Sequence, residues 1–168
     1  MSDTKKLNTE FLRETHIFSA LRDDSEALSH LADYLHAEQF GEGVRIIQEG
    51  TPGSELYILI EGQASIFKRT VDGDLYKVAA LEGKNCPTFG EGGLIFTQPR
   101  SATIVADTEC KCLVLKQDDL THFSEKMPHA ALVIFRRINE RLLERLRKTS
   151  DDLLIYHKAL MDEIRGAN

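Results

Sequence analysis

The length, composition and charge of this sequence exclude several classes of protein. Its 168 residues, 42% of them hydrophobic and 29% charged, are typical of one globular domain with an appended helix, and not of a disordered or fibrous chain. A net charge of −6 argues against a protein that coats nucleic acid. The longest apolar run, residues 130–135, is far short of the roughly 20 residues that a membrane helix needs, and no secretory signal is visible at the N-terminus. We therefore expect a soluble cytoplasmic domain.

The first part of the chain, residues 8–36, has the pattern of helices. Between residues 28 and 35, four apolar side chains recur at the three- and four-residue spacing of one helix face. Asp23, Asp24 and Ser25 precede them and are residue types that commonly cap a helix N-terminus. This pattern predicts helices at the N-terminal end of the domain.

From about residue 37 to residue 116 the sequence consists of short β-rich runs separated by glycine. The runs are residues 44–48, 55–60, 64–70, 75–81, 102–107 and 111–116. Asp72 and Gly73 lie between two of these runs and form a hairpin signal. Because no helical pattern intervenes, we predict an antiparallel roll, jelly roll or barrel.

After residue 117 the pattern becomes helical again. A short element leads to Pro128, which suits the start of a helix, and neither proline nor glycine follows before Arg165. An apolar seam, interrupted at Thr149, consists of Phe135, Ile138, Leu142, Leu146, Leu153, Tyr156, Leu160 and Ile164. A narrow seam on so long a helix predicts a two-helix coiled coil. The alternative is a single helix that lies back on the roll.

The first half of this helix carries more basic than acidic residues. The basic residues are Arg136, Arg137, Arg141, Arg145, Arg147 and Lys148, against Glu140 and Glu144. A stripe that binds DNA is one interpretation. We favour the other, a solvated helix face with ion pairs about one turn apart.

Patterns for catalysis or metal binding are not apparent in the sequence. All six histidines lie outside the strand-rich region, and neither a metal-ligand pair nor a nucleophile motif occurs. Cys86, Cys110 and Cys112 lack Cys-x-x-Cys spacing, which favours free thiols in a reducing cytosol. We therefore predict no catalytic residue, no metal and no cofactor, and a roll that holds a ligand rather than transforming it.

A glycine-rich segment, residues 89–103, is the candidate site. Three glycines between residues 90 and 93 let the backbone approach a ligand, and a helical turn at 94–96 would point amides at an anion. Arg100 can make charge-assisted hydrogen bonds to the same anion, and Glu91 can accept from a sugar hydroxyl. Together these groups suggest a nucleotide pocket. A tight turn followed by a surface arginine is the alternative.

This segment resembles the phosphate-binding cassette of cyclic nucleotide-binding domains. The matching residues, at the family's spacing, are Phe89, Gly90, Glu91, Leu94, Arg100, Ser101 and Ala102. Residues 43–50 and 56–62 are similar to the early strands and turns of that family, and the resemblance covers about residues 10–165. Gly92 departs from the family, which usually has leucine there, and this loosens the cassette.

The resemblance implies a role for each matched position. Glu91 would bind the ribose 2′-hydroxyl and Arg100 the cyclic phosphate, while Gly90 and Ser101 would support these contacts. The other cassette residues of the implied site are Phe89, Gly92, Gly93, Leu94 and Ala102.

The C-terminal helix carries a second resemblance. Residues 144–154 are similar to the dimer helix of bacterial cAMP receptor proteins, where a Thr-Ser pair contacts the adenine, one residue from each subunit. Thr149 and Ser150 fall on that pair. A nucleobase amino group would satisfy a polar side chain that is otherwise costly on a helix seam; the alternative is that Thr149 only sets the helix register. The chain ends four residues after Ile164, so we expect no helix-turn-helix domain and no direct sequence-specific DNA binding.

These features predict an α+β fold, namely an antiparallel, jelly-roll-like β-roll with N-terminal helices and a long C-terminal dimerisation helix. Residues 1–127 would form the cyclic nucleotide-binding roll and residues 128–168 the helix. The resemblance implies a non-enzymatic receptor for cAMP, with cGMP left open. It would form a homodimer through residues 128–165 and signal through that helix to an unknown protein partner, away from membranes. Two alternatives stay open: a degenerate domain that binds proteins without nucleotide, and a metal-dependent enzyme of the roll class.

Overall fold

A computed structural model describes residues 3–166 of the chain. The helices are α1 (Asp3–Glu14), α2 (Ser25–Ala32), α3 (Gln117–Lys126) and α4 (Pro128–Gly166). The strands are β1 (His36–Phe40), β2 (Arg45–Ile47), β3 (Pro52–Gly53), β4 (Glu55–Glu61), β5 (Gln63–Arg69), β6 (Leu75–Glu82), β7 (Thr88–Phe89), β8 (Gln98–Pro99), β9 (Thr103–Ala106) and β10 (Cys110–Lys116). The chain divides into two compact units, one that runs through Ile134 and one that begins at Phe135 within α4.

Two four-stranded antiparallel sheets form the roll. Strands β1, β10, β4 and β7 lie side by side in one sheet, and β2, β9, β5 and β6 lie side by side in the other. Strands β3 and β8 form a separate two-stranded ribbon. Buried residues from both sheets share a core cluster, which contains Ile46, Ile47, Leu59, Ala64, Phe89, Ile104, Ala106, Cys110, Cys112 and Val114. The predicted roll, with N-terminal helices and a long C-terminal helix, is confirmed.

The β5–β6 hairpin forms where the sequence predicts it. Gly73 has a φ of +96°, in the left-handed region that glycine adopts without strain. The amide of Thr70 donates to the carbonyl of Asp74 at 2.8 Å, and the amide of Gly73 donates back to the carbonyl of Thr70 at 3.0 Å. The turn therefore closes through bonds among neighbouring residues, which is why a local sequence signal identifies it.

The six predicted β-runs are all strands, and their ends differ from the prediction by at most one residue. Strands β1, β3, β7 and β8 were not predicted. The last three have two residues each, which is too short to show a periodicity. Four of the five residues of β1 are exposed, so only its pairing with β10 identifies it as a strand. It starts at His36, so the expectation that every histidine lies outside the strands is wrong for this residue.

The helix α2 is capped by Asp24, one of the three predicted cap residues. The side chain of Asp24 accepts a hydrogen bond from the amide of Ala27 at 2.9 Å, which satisfies one of the free amides of the first turn. The buried face of α2 consists of Ala27, Leu28, Leu31 and Ala32. Leu12, in α1, is fully buried as well. Both helices therefore contribute apolar side chains to the core of the first unit.

The helix α4 runs for 39 residues without a break. Proline suits its first turn because an amide hydrogen there would have no partner in the helix. In the second unit, six side chains of the predicted seam are between 42% and 72% exposed in the single chain; they are Leu142, Leu146, Leu153, Tyr156, Leu160 and Ile164. Within residues 3–166, no helix is both long enough and apolar enough to cross a membrane.

Candidate functional site

A short 3₁₀ helix, Glu91–Leu94, forms the centre of the predicted cassette. Gly90 precedes it with a φ of +81°, a conformation that strains any residue with a side chain. The amide of Gly93 donates to the carbonyl of Gly90 at 3.0 Å and closes the turn. The sequence predicted a helical turn at residues 94–96, so the turn starts three residues earlier than expected. The glycines allow this shift because they accept the tight backbone.

Arg100 is a buried residue at the centre of this site, with its side chain 8% exposed. Its Nη1 donates to the carbonyl oxygen of Glu55 at 2.8 Å and to that of Gly90 at 3.2 Å. Its Nη2 donates to Oε2 of Glu55 at 2.7 Å in an ion pair. The interpretation as a surface arginine is therefore wrong, because the guanidinium lies inside the unit and holds β4 and the cassette together.

Three glycines make room for the guanidinium. A Cβ atom added to Gly53 would overlap Nε of Arg100. One added to Gly90 would lie 2.8 Å from Nη1, and one added to Gly93 would lie 2.9 Å from the same nitrogen. These distances are shorter than real carbon–nitrogen contacts, so a side chain at any of the three positions would displace the guanidinium. Gly90 and Gly93 were predicted site residues, whereas Gly53 was not.

Two N–H groups of the guanidinium have no hydrogen-bond acceptor among the described residues 3–166. The group has five N–H donors in a plane, two on each terminal nitrogen and one on Nε. Both donors of Nη1 and one of Nη2 are used by Glu55 and Gly90. The N–H of Nε and the second N–H of Nη2 donate to no atom of the described residues 3–166. Two parallel N–H groups on one edge match two oxygens of a phosphate.

Gly92 stands where the family that the cassette resembles usually has leucine. The side chain of Gln98 occupies the space that a side chain at residue 92 would need. A Cβ atom at this position would overlap Nε2 of Gln98. Gln98 lies in β8 and pairs with Gly53 across the small ribbon. The side chain of Gln98 therefore covers the place that a residue-92 side chain would take, and the departure from the family has a structural counterpart.

Phe89 and Leu94 anchor the two ends of the turn, with 5% and 3% of their surfaces exposed. The ring of Phe89 stacks on Tyr57, with centroids 5.3 Å apart and planes 4° from parallel. Burial, and next the charge of Glu55, raises the pKa of Tyr57 to about 12. The stacking of Phe89 on Tyr57 thus connects the turn to β4, the strand whose first residue is Glu55.

The backbone on either side of Arg100 is fixed by the segment that precedes β4. The amide of Arg100 donates to the carbonyl of Thr51 at 2.8 Å, and its carbonyl accepts from the amide of Gly50 at 2.9 Å. Ser101, the next residue, is exposed, whereas Ala102 is buried. Glu91 is partly exposed at the first position of the 3₁₀ helix.

The structure thus brings the predicted residues 89–94 and 100–102 into one site. Thr149 and Ser150 lie on α4, in the second unit, where both are exposed. The hydroxyl of Thr149 donates to the carbonyl of Arg145 at 2.9 Å, within its own helix, and its oxygen can still accept.

Sequence reasoning missed Gly53, Ser54, Glu55 and Gln117. The amide of Ser54 donates to Oε2 of Glu55 at 3.0 Å, and the carbonyl of Ser54 accepts from the amide of Gln117 at 2.9 Å. Glu55 and Arg100 are 45 residues apart in the chain. No periodicity connects positions at that separation, and the only local signal was the glycine-containing break, which includes Gly53, before the predicted run at residues 55–60.

Other chemistry has little support among the residues that the structure covers. Within residues 3–166, no group of three or more His, Cys, Asp or Glu side chains could hold a metal ion. The three cysteines are buried and are not in disulfides. Burial raises the pKa of the Cys112 thiol to about 12, which makes it a poor nucleophile.

The sequence profile of the cyclic nucleotide-binding domain matches residues 37–127, more than half of the chain. The chain belongs to this family. The cAMP-dependent protein kinase regulatory subunit of Aspergillus fumigatus is 33% identical to this cyclic nucleotide-binding domain over 114 residues, which cover 68% of this chain. The matched residues cover only 26% of that regulatory subunit, so this chain spans about a quarter of its relative.

Solved structures with the same fold support the family assignment. The N-terminal domain of a transcriptional regulator from Streptomyces coelicolor A3(2) is 31% identical and has a TM-score of 0.70, over 85% of this chain and 94% of that domain. The regulatory domain of Toxoplasma gondii PKA, crystallised with cAMP, is 26% identical with a TM-score of 0.66, over 82% of this chain and 50% of that one. The catabolite activator protein of Thermus thermophilus shares the fold. It is 24% identical and has a TM-score of 0.68, over 77% of this chain and 58% of that one.

Proposed function

We propose that this cyclic nucleotide-binding domain is a receptor for cAMP and that it has a regulatory rather than a catalytic role. The observation that carries the proposal is the buried guanidinium of Arg100, whose Nε–H and one N–H of Nη2 have no acceptor among residues 3–166. A buried cation with two unused N–H donors suits a singly charged phosphodiester, because charge-assisted hydrogen bonds in a partly dry site are stronger than neutral ones.

The proposed roles follow the geometry of the cassette. The cyclic phosphate would bind to Nε and Nη2 of Arg100, with support from Gly90 and Ser101. Glu91, beside Gly90 at the start of the 3₁₀ helix, would accept a hydrogen bond from the ribose 2′-hydroxyl. The remaining residues, which allow close approach or anchor the turn, are Phe89, Gly92, Gly93, Leu94 and Ala102.

The choice of cAMP rests on relatives. The Aspergillus fumigatus relative is the regulatory subunit of a cAMP-dependent protein kinase, and the Toxoplasma gondii structure contains cAMP. Thr149 and Ser150 would contact the base in a dimer, one from each subunit. A hydroxyl can accept from the 6-amino group of adenine and can also donate to the 6-oxo group of guanine, so cGMP is the second ligand to be tested.

Ligand binding would change the oligomeric state of the receptor or its binding to a protein partner. We propose a homodimer through the exposed seam of α4, because a stripe of large apolar side chains on a long helix favours a second helix. Binding would reach a protein partner through α4, without a cofactor or metal. The three reduced, buried thiols fit a cytoplasmic location.

A degenerate domain that binds proteins but no nucleotide is the second candidate. The observation that favours it is the ion pair between Arg100 and Glu55, because the guanidinium that would bind the phosphate already has an anionic partner. A domain of this kind would keep the roll and the cassette turn and would ignore cyclic nucleotides.

Calorimetric titration with cAMP, cGMP and a cyclic dinucleotide separates the two candidates. The Arg100→Lys variant keeps the charge but loses the planar fork, so its affinity for cAMP should fall at least about tenfold. Arg45→Lys, on the exposed side of β2, is the matched control and should leave the affinity unchanged. If the unmodified chain binds none of the three ligands, the degenerate domain is the correct interpretation.

A further inference from the structure

The charge of Arg100 is shared with Glu55, an acidic residue that lies outside the cassette, at the start of β4. Glu55 accepts from Nη2 through its carboxylate at 2.7 Å and from Nη1 through its carbonyl at 2.8 Å. The side chain of Arg100 is 8% exposed and that of Glu55 is 31% exposed. Because the pair is largely withdrawn from water, solvent and salt screen its charges only weakly.

The carboxylate of Glu55 is held against Arg100 rather than free to turn away. The amide of Ser54 donates to its Oε2 at 3.0 Å, and the hydroxyl of Ser54 lies 3.4 Å from its Oε1. The backbone of Glu55 is fixed by pairing with Lys116 in the neighbouring strand. An anion that approaches Arg100 therefore meets a carboxylate that stays in place.

A phosphate can reach Arg100 only beside this carboxylate. Glu55 and Gly90 use the Nη1 donors and one Nη2 donor, which leaves Nε–H and one N–H of Nη2 for a phosphate. A phosphate bound there and the carboxylate would be two anions on one guanidinium, and they would repel each other. In addition, each of the two anions reduces the attraction between the Arg100 guanidinium and the other anion.

We propose that Glu55 is a built-in competitor that lowers the affinity of this site for phosphate-bearing ligands. The proposal rests on the proposed function for the identity of the natural ligand, but it is a statement about the anion site itself. In a sensor, such a competitor would raise the ligand concentration at which the site fills.

The Glu55→Gln substitution isolates the charge. An amide oxygen in place of Oε2 can still accept from Nη2 and from the amide of Ser54, and the new NH₂ group can donate to the hydroxyl of Ser54. The three contacts of the side chain are therefore kept while one negative charge is removed. Glu61→Gln is the matched control, because Glu61 ends the same strand and pairs with Lys111 instead of Arg100.

The experiment compares the unmodified chain with both variants in two titrations. One uses cAMP in a calorimeter; the other uses inorganic phosphate, followed by the NMR signal of the Arg100 Nε–H group. Glu55→Gln should bind both probes roughly three- to tenfold more tightly, the size expected of a like-charge interaction near a protein surface, and Glu61→Gln should bind them as the unmodified chain does. A gain of affinity cannot arise from a damaged fold.

The two titrations distinguish this proposal from the proposed function. If cAMP binds to no form of the protein while phosphate binds more tightly to Glu55→Gln, the proposed ligand is wrong and the competitor role stands. If Glu55→Gln shows no gain for phosphate, whether its binding is equal, weaker or absent, the competitor role is wrong.

Discussion

The side-chain amide of Gln117 donates to the carbonyl oxygen of Ile95 at 3.1 Å, which joins the first residue of α3 to the loop after the cassette turn. The hydroxyl of Thr97 donates to Oε1 of the same glutamine at 3.3 Å. The amide of Gln117 donates to the carbonyl of Ser54, next to Glu55. Gln117, at the start of α3, thus contacts both the loop after the cassette turn and the residue that precedes Glu55.

The first prediction concerns this connection. Gln117→Ala removes both side-chain hydrogen bonds, so the loop at residues 95–97 should exchange its amide hydrogens faster, and the free energy of unfolding should fall by about 1 kcal/mol. Hydrogen exchange read by mass spectrometry or NMR measures the first effect, and urea unfolding measures the second. Gln39→Ala, on the exposed strand β1, is the control and should change neither. Unchanged exchange at 95–97 would show that Gln117 does not hold the loop.

The second prediction concerns the space beside Arg100. In Gly53→Ala the new methyl group would overlap Nε, so the guanidinium must move, and cAMP binding should weaken at least about tenfold while overpacking lowers the free energy of unfolding by about 1–3 kcal/mol. In Gly41→Ala the methyl group would lie 3.9 Å from the nearest side chain, that of Val44, and neither quantity should change. Calorimetry and urea unfolding of both variants provide the comparison; equal cAMP affinity in Gly53→Ala would contradict the assigned position of Arg100.

The third prediction separates the sugar from the phosphate. If Glu91 accepts from the 2′-hydroxyl, the unmodified chain should bind 2′-deoxy-cAMP distinctly more weakly than cAMP. In Glu91→Ala the two ligands should bind with similar affinity, because the carboxylate that distinguishes them is gone. Titrations of both ligands against both proteins give the four affinities from which the interaction between Glu91 and the 2′-hydroxyl is calculated. Equal affinities in the unmodified chain would remove Glu91 from this role.

The fourth prediction concerns α4. Thr149→Val together with Ser150→Ala removes two hydroxyls and keeps the shape of the seam, so the homodimer should persist in light scattering. A base amino group that loses its partner in a dry site costs about 1–3 kcal/mol, so cAMP affinity should fall and its margin over cGMP should narrow. A monomeric unmodified chain, or unchanged selectivity in the double variant, would separate α4 from the ligand site.

The fifth prediction concerns pH. Burial, with a contribution from the charge of Glu55, raises the pKa of Tyr57 to about 12 in the folded chain, from the ordinary tyrosine value of 10.0. The folded state therefore binds this proton more tightly than the unfolded state, and the associated stability is fully present below pH 10 and is lost between pH 10 and pH 12. The phenolate absorbance of Tyr57→Phe should lack a component near pH 12, and its unfolding free energy should fall less steeply over that interval. An unchanged absorbance titration would mean that Tyr57 is not the group that titrates there.

Several features of this protein follow from short stretches of sequence. The pair Asp72 and Gly73 determines a hairpin because the bonds that close the turn join residues at most four positions apart. The helix α4 follows from its spacing of apolar residues and from the absence of breakers after Pro128. The cassette from Phe89 to Ala102 is contiguous, so its resemblance to a family could be read directly. In each case the information lies within a few turns of backbone.

Other features were decided by the tertiary structure alone. Strand β1 has an exposed, polar sequence and is a strand only because β10 pairs with it. The sequence identified Arg100 as the candidate anion ligand and left a surface position as the alternative, whereas the roll brings Glu55 and Gly53, 45 and 47 positions earlier in the chain, against its guanidinium. The sequence determines which residue carries the charge. The tertiary structure decides which anion already pairs with that charge and which N–H groups are left without an acceptor, because these depend on contacts between distant strands that no local periodicity encodes.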